Sequence, residues 1–261
     1  MIDKNQIVAI AGLVLFGSGA LYLFQLAGFD DVFLNNILSK TINSTMTNTP
    51  LINTYYFAAG ILALAISFAS VGVYALEKRA MDMAVVIAGA IMLPLALLFI
   101  GMSATGAVLG VGLFLSMMLM QYLPIDDAEA YKELRPAKIV QGAVGTAVLL
   151  TSVLVALSVY FVVSGDASYA GKGMSAVVDT ILEISVDDAT RASLAEVPGG
   201  MDLLKDEIQS SELVSMMSTY YAYLSAITAF TAIQLIGVFL APLARVFAWI
   251  LWKMNGNYGA A

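Results

Sequence analysis

Long uninterrupted apolar runs, separated by polar stretches, form the main pattern of this chain. A membrane-spanning helix needs about 20 apolar residues to cross the hydrocarbon core of a bilayer. The sequence has six such runs, at residues 7–28, 55–76, 83–102, 105–122, 139–164 and 220–241. The pattern therefore predicts an all-α polytopic membrane protein with six transmembrane helices. Pro94 lies inside the third run and predicts a kink there, because proline cannot donate a helical hydrogen bond.

The basic residues outside these runs predict the orientation of the chain. Short cytoplasmic loops of membrane proteins are enriched in Lys and Arg. With six spans, Lys4 and the basic residues within 78–79, 132–138 and 245–253 all fall on one side. We therefore expect both termini to be cytoplasmic, in a multi-pass protein of the cell (plasma) membrane.

The predicted segments follow from the six spans. In chain order they are the N-terminus with the first span (1–28), an outer amphipathic loop (29–54), spans two to four (55–123), a cytoplasmic loop (124–138), span five (139–164), an acidic helical outer domain (165–219), span six (220–241), and an interfacial helix with a tail (242–261).

The two outer segments carry apolar residues at helical spacing among polar ones, which is typical of amphipathic helices. In the second segment Leu204 and Ile208 lie four positions apart and share one face. Since these side chains need burial, we predict a small helical extracytoplasmic cap that packs through Leu204 and Ile208.

The residues after Pro242 predict a separate helix on the membrane surface. Apolar residues recur there at helical spacing, and Trp249 and Trp252 lie beside Arg245 and Lys253. This composition is typical of a helix lying in the bilayer interface. A continuous helix over 217–254 would be about 57 Å long at 1.5 Å per residue, which exceeds a hydrocarbon core of about 30 Å.

Pairs of tyrosines mark two span boundaries. Tyr55–Tyr56 precede the second span and Tyr220–Tyr221 begin the sixth, and tyrosines favour the headgroup level of a bilayer. A shift of 165 positions aligns both pairs and, further on, Gly72-Val73 with Gly237-Val238. Spans one–two and five–six could be a parallel duplication, or the match could be convergent. The sequence leaves both interpretations open.

The composition excludes several kinds of chemistry. The chain is 60% hydrophobic and only 12% charged, with a mean hydropathy of +0.87, whereas soluble domains are about 25% charged. It has no Cys and no His, which removes thiolates, the usual haem ligands and the commonest general base. No predicted span contains Asp, Glu, Lys or Arg, the residues on which proton relays depend. We therefore predict no enzymatic activity, no catalytic or metal site and no cofactor.

The net charge of −7 is concentrated in the predicted outer domain. Residues 166–216 hold ten acidic and three basic residues, and the rest of the chain is neutral. A nucleic-acid surface needs the opposite sign, so we predict no nucleic-acid partner.

Small and amide residues in the spans predict helix packing. Gly106, Gly110 and Gly142 allow close approach of helices, and Gln141 and Gln234 can form hydrogen bonds between them. These features favour a non-enzymatic subunit of a larger or homo-oligomeric membrane complex, with an assembly role that could include forming a pore wall. Its partners would be membrane lipid and other membrane subunits or copies of itself. The alternative is a passive channel or transporter for small solutes that lacks proton-coupling residues.

Overall fold

The computed structural model describes residues 4–130, 135–187, 190, 193–194 and 199–255. All regular structure in these ranges is helical, which confirms the all-α prediction. The tail at 256–261 and parts of the predicted 124–138 and 165–219 segments lie outside the described residues.

In chain order the helices are α1 (Lys4–Ala11), a π-helical turn (Gly12–Phe16), α2 (Gly17–Leu26), α3 (Asp31–Asn35), α4 (Ile37–Thr47), α5 (Thr54–Lys78), α6 (Met83–Ala90), α7 (Met92–Phe99), α8 (Ala104–Ala130), α9 (Pro136–Gly165), α10 (Ala167–Ser185), α11 (Gly200–Gln209), α12 (Glu212–Thr219) and α13 (Tyr221–Met254).

Helices long enough to cross a membrane confirm a multi-pass membrane protein. Within the described ranges there are five, formed by Asn5–Leu26, Thr54–Lys78, Ala104–Ala128, Pro136–Gly165 and Tyr221–Met254. The predicted span at 83–102 forms instead a shorter apolar segment, Met83–Phe99, made of α6 and α7.

The break between α6 and α7 has a local cause. It falls at Ile91, three residues before Pro94, whose missing N–H and ring disturb the preceding turn. The segment then ends before Gly101, which has φ +142°, a conformation that suits glycine. A Cβ at Gly101 would lie 2.3 Å from the Asp31 carboxylate. The predicted span was therefore too long at its C-terminal end.

The chain divides into two compact units. The first comprises Met1–Asp31, Ile52–Val155 and Phe230–Ala261, and the second comprises Val32–Leu51 and Ala156–Ala229.

Helix α5 forms the centre of the first unit. In the most apolar stretch of 18 residues, 78% of α5 is buried, whereas 28% of the corresponding stretch of α13 is buried. Small residues let its neighbours approach closely. A Cβ at Gly60 would lie 2.7 Å from the Phe24 ring, and one at Gly72 would lie 2.9 Å from both Met120 and Val140. Glycine at these positions therefore sets the distance between α5 and the helices around it.

Helices α6 and α7 together run the length of the first helical segment. At one end the Gln6 side chain donates to Asp82 over 2.8 Å. At the other end the Asp31 amide donates to the Ile100 carbonyl over 2.9 Å, and the rings of Tyr22 and Phe99 lie 5.7 Å apart. We call these two ends of the first unit the Asp82 end and the Asp31 end.

The second unit contains the helical parts of both predicted outer segments. Helix α4 packs on α10, which also contacts α11 and α12. Ile37 of α4 and Val178 of α10 are fully buried, and the Lys205 ammonium of α11 lies 2.6 Å from the Asp179 carboxylate of α10. The amphipathic pattern in both segments therefore corresponds to helices that bury their apolar faces.

The predicted separate helix after Pro242 is wrong, because α13 continues without a break from Tyr221 to Met254 with Pro242 inside it. Every fourth residue across this region is buried, namely Leu240, Ala244, Ala248 and Trp252. The stripe keeps the helix packed through the proline, whose lost hydrogen bond is tolerated in a packed membrane helix. The prediction rested on the composition after Pro242 and on the length of a continuous helix, and it therefore misplaced the end of the helix.

Candidate functional site

A cluster of polar side chains at the Asp82 end joins four helices of the first unit. Asp82 caps α6 by accepting a hydrogen bond from the Ala84 amide at 2.8 Å. Its Oδ2 atom accepts hydrogen bonds from Gln6 of α1, at 2.8 Å, and from the Tyr74 hydroxyl of α5. Its own amide donates to the Gln121 side chain of α8 at 3.0 Å. We call Gln6, Tyr74, Asp82 and Gln121 the Asp82 cluster.

The hydrogen bonds in this cluster favour the ionised carboxylate. The bond from Tyr74 is the main reason that the pKa of Asp82 lies below its ordinary value of 3.8, and burial partly opposes it. A carboxylate that is ionised throughout the physiological range carries no proton to donate. Asp82 is therefore suited to hold helices together and poorly suited to serve as an acid catalyst.

A second carboxylate at the same end is held in the same way. Glu77 accepts one hydrogen bond from the Asn5 side chain and one from the Asn255 side chain, each at 2.8 Å. These contacts connect α5 to α1 and to the residue that follows α13. Glu77 thus links helices in the same manner as Asp82.

Neutral polar groups form the buried contacts among α8, α9 and α13. The hydroxyls of Ser116 and Thr151 lie 2.9 Å apart, and the Thr151 hydroxyl is also 3.0 Å from the Ala147 carbonyl. The predicted packing residue Gln234 donates to the Ser152 hydroxyl at 2.6 Å. Hydroxyls and amides bonded in this way can hold helices in register.

An apolar cavity of about 50 Å³ lies next to these groups in the first unit. Its lining is mostly apolar and also includes two hydroxyl residues, namely Leu21, Phe24, Phe68, Leu113 and Ile236 with Ser116 and Thr151. Apolar cavities of this kind stay dry. The cavity therefore does not provide a water-filled path.

Two of the predicted packing glycines of α8 make close contacts, one with the turn that precedes α8 and one with α7. A Cβ at Gly106 would lie 2.1 Å from the Gly101 carbonyl oxygen, and one at Gly110 would lie 3.1 Å from Leu93 and Ala96. The structure thus places Gly106 and Gly110 in contacts within the chain.

Gly142, another predicted packing residue, lies in a different environment on α9. Neither Gly142 nor Gly145 has another atom of the described chain within 4 Å of a Cβ built there, apart from its own helix. The neighbouring Gln141 accepts a hydrogen bond from Arg245 at 3.4 Å. An open groove of about 550 Å³ runs along this side of α9. We call Gln141, Gly142, Gly145 and Thr146 the open α9 face.

The four predicted boundary tyrosines occupy unlike environments. Tyr55 is 89% exposed, and Tyr56 and Tyr220 are also exposed, whereas Tyr221 is 1% exposed. The Tyr221 ring packs on α10, where a Cβ at Gly173 would lie 2.0 Å from its hydroxyl oxygen. The two tyrosine pairs therefore differ in burial, and the duplication of spans stays a prediction.

The two predicted interfacial tryptophans lie at the Asp82 end, near the end of α13. Trp249 is exposed and its ring lies 4.1 Å from the Lys253 ammonium, a cation–π distance. Trp252 is 6% exposed. Both rings line a groove of about 550 Å³ that also includes Arg135, Lys138 and Arg245. We call this the basic groove.

The predicted cap residues Leu204 and Ile208 are half-buried on α11. The ion pair between Lys205 and Asp179 lies on the same helix and joins it to α10. The structure thus places both residues on the helix that packs within the second unit.

Sequence reasoning missed the Asp82 cluster. An Asp directly before an apolar run is a helix N-cap signal and could have identified Asp82. Its partners Gln6, Tyr74 and Gln121 come from three other helices, so only the tertiary arrangement brings them together. Among the described residues, no group of three or more His, Cys, Asp or Glu side chains could hold a metal ion.

Comparison with known proteins gives no further guide, because no protein-family model, curated protein or solved structure matches this chain.

Proposed function

We propose that this chain is a non-enzymatic integral membrane subunit that packs against another membrane subunit, or a second copy of itself, through the open α9 face. The observation that carries the proposal is the unoccupied space beside Gly142 and Gly145, where no other atom of the described chain lies within 4 Å of a Cβ built there, apart from the same helix. In a bilayer, small residues promote helix association because backbones can approach closely.

Three other glycines of the first unit support this interpretation by contrast. A Cβ at Gly12 would lie 2.5 Å from Ser70, one at Gly112 would lie 3.2 Å from Thr151, and one at Gly237 would lie 2.6 Å from Val148. Each of these glycines makes room for a neighbouring helix. A glycine inside a helix costs about 0.5–1 kcal/mol relative to alanine, and a partner helix on the α9 face would offset that cost.

The proposed topology has six passes, with Met83–Phe99 as the third. The support is that this segment runs between the Asp82 end and the Asp31 end, like the first helix. At 1.5 Å per residue its 17 residues are about 26 Å long, close to the hydrocarbon thickness. Both termini would then be cytoplasmic in the plasma membrane, and residues 29–54 and 165–219 would be extracytoplasmic.

The polar groups of the first unit favour assembly over transport within one chain. Asp82 and Glu77 are each held by neutral donors, whereas coupled transport needs carboxylates that exchange protons. The buried hydroxyls border an apolar cavity. A passive channel would therefore require a pore formed between subunits, with this chain as part of its wall.

The mass of the complex extracted from native membranes in a mild detergent tests the proposal. Wild-type protein should migrate as an assembly of defined size, and Gly145→Leu should release a folded monomer because the leucine side chain fills the contact surface. Gly19→Leu is the matched control, since Gly19 of α2 also has open space around it, and it should assemble normally. A monomeric wild type, or a Gly145→Leu variant that assembles like the wild type, would show the proposal to be wrong.

A further inference from the structure

The basic groove brings together three cations from two stretches of chain. Arg135 and Lys138 lie at the start of α9, and Arg245 lies on the last turns of α13. No acidic side chain is among the described residues that line the groove. The site therefore has the electrostatics of an anion-binding site.

A buried donor in the wall of the groove points independently to a missing ligand. The Trp252 side chain is 6% exposed, and its Nε1 atom is buried without a hydrogen-bond acceptor among the described residues. A buried N–H without an acceptor is rare and destabilising, so it calls for a specific explanation. An oxygen atom of a bound ligand would satisfy this donor once the Trp252 ring turns toward the groove, because the Nε1 atom is covered in this conformation.

The surroundings of the groove are apolar. Val246 and Trp249 line the groove and are exposed. Further along α13, Leu235, Val238 and Phe239 are also exposed, each by more than half. Hydrocarbon chains could lie on this helix surface while a polar group occupies the groove. A soluble anion would leave that surface unused.

We propose that the basic groove binds the phosphate headgroup of an anionic phospholipid, whose acyl chains lie along the exposed face of α13. Lys138 and Arg245 pair with the phosphate, and the Trp252 N–H donates to a phosphate or ester oxygen. Basic pockets between membrane helices bind anionic headgroups in this way. The proposal is independent of the assembly that we propose through the open α9 face.

The tryptophans provide a direct probe, because Trp249 and Trp252 are the two tryptophans of the whole sequence. Full-length protein would be reconstituted in phosphatidylcholine vesicles. Part of the lipid would then be replaced by phosphatidylglycerol or by phosphatidylcholine, each brominated on its acyl chains to quench indole fluorescence. We expect stronger quenching by the brominated anionic lipid at equal mole fraction.

Charge variants separate the groove from general surface attraction. Lys138→Gln with Arg245→Gln should lower the preference for phosphatidylglycerol by at least about fivefold, since each cation near the membrane surface contributes about that factor. Lys78→Gln with Arg79→Gln removes the same charge at the end of α5, outside the groove, and should preserve the preference. Lys138→Arg with Arg245→Lys keeps the charge and should behave like wild type.

Four results would contradict the proposal. Equal quenching by the two brominated lipids would show that the groove has no headgroup preference. An unchanged preference in the Lys138/Arg245 variant, or an equal loss in the Lys78/Arg79 variant, would show diffuse attraction instead of a site. Loss of the preference on adding inorganic phosphate would identify a free anion as the ligand.

Trp252→Phe, followed through Trp249 fluorescence, should weaken the preference without disturbing the cations.

Discussion

The Tyr74 hydroxyl of α5 donates a hydrogen bond to the carboxylate of Asp82, the residue that caps α6. This contact lies across the turn between α5 and α6 and connects these two helices at the Asp82 end. We expect Tyr74→Phe to lower the free energy of unfolding by about 1.5–3 kcal/mol, as is usual for hydrogen bonds to charged groups. Denaturant unfolding in detergent would measure this, with Tyr122→Phe, at an exposed position of α8, as the control. Equal losses of unfolding free energy in the two variants would contradict a stabilising role of the Tyr74–Asp82 hydrogen bond.

The same contact gives a pH dependence. The pKa of Asp82 lies below its ordinary value of 3.8, mainly because of the Tyr74 hydrogen bond. A carboxyl whose pKa is lowered by folding stabilises the protein fully above its unfolded pKa, and this contribution is lost as the pH falls through the folded pKa. The stability difference between wild type and Asp82→Asn should therefore be constant near neutral pH and should shrink below about pH 4. A difference that grows on acidification would contradict the assignment.

Close packing between Gly173 and Tyr221 predicts opposite effects for two glycines of α10. Gly173→Ala places a methyl group against the Tyr221 ring and should destabilise the protein by about 1–3 kcal/mol. Gly171→Ala meets no other atom of the described chain within 4 Å and should stabilise α10 by about 0.5–1 kcal/mol. Thermal unfolding of the two variants would test this, and equal shifts would contradict the packing.

The burial pattern of α11 predicts different outcomes for two adjacent leucines. Leu204 is half-buried and Leu203 is exposed. Leu204→Asp places a charge in a partly apolar contact and should destabilise the second unit by about 1–3 kcal/mol. Leu203→Asp should change the stability by less than about 0.5 kcal/mol. Limited proteolysis of both variants in detergent would show which one opens the α10–α11 contact, and faster cleavage of Leu203→Asp would contradict the assignment.

The topology can be tested on a chain with no native cysteine. Single cysteines at Ser44 and Ser210 should react with a membrane-impermeant maleimide from outside the cell, whereas one at Met254 should react only after the membrane is opened. Five passes in place of six would put Ser44 and Ser210 on opposite sides of the membrane, with Met254 on the same side as Ser44.

The sequence predicts best the elements whose signals are local. The second span was expected at 55–76 and forms at Thr54–Lys78, because Asn53 caps its start and its end is marked by Arg79, which has φ +50°. The apolar runs give the helix class and most spans because each helix satisfies its own backbone hydrogen bonds.

The features that the sequence did not predict depend on tertiary contacts. The continuation of α13 past Pro242 depends on neighbours that bury Ala244 and Ala248, and these neighbours cannot be identified from local periodicity. Gly106 and Gly142 also look alike in the sequence, since both are glycines within apolar runs. They differ because the Gly101 carbonyl lies beside Gly106, whereas no other atom of the described chain lies within 4 Å of a Cβ built at Gly142, apart from its own helix.

The most direct test of the proposed subunit role is photo-crosslinking from the open α9 face in native membranes. A cysteine at Gly145 would carry a maleimide-linked photoreactive group, and a cysteine at Gly19 would carry the same group as the control. We predict a protein adduct of one defined mass from position 145, which disappears when Gly142→Leu is added, and lipid adducts alone from position 19. Lipid adducts alone from both positions would show that the α9 face is lipid-exposed and would contradict the subunit role.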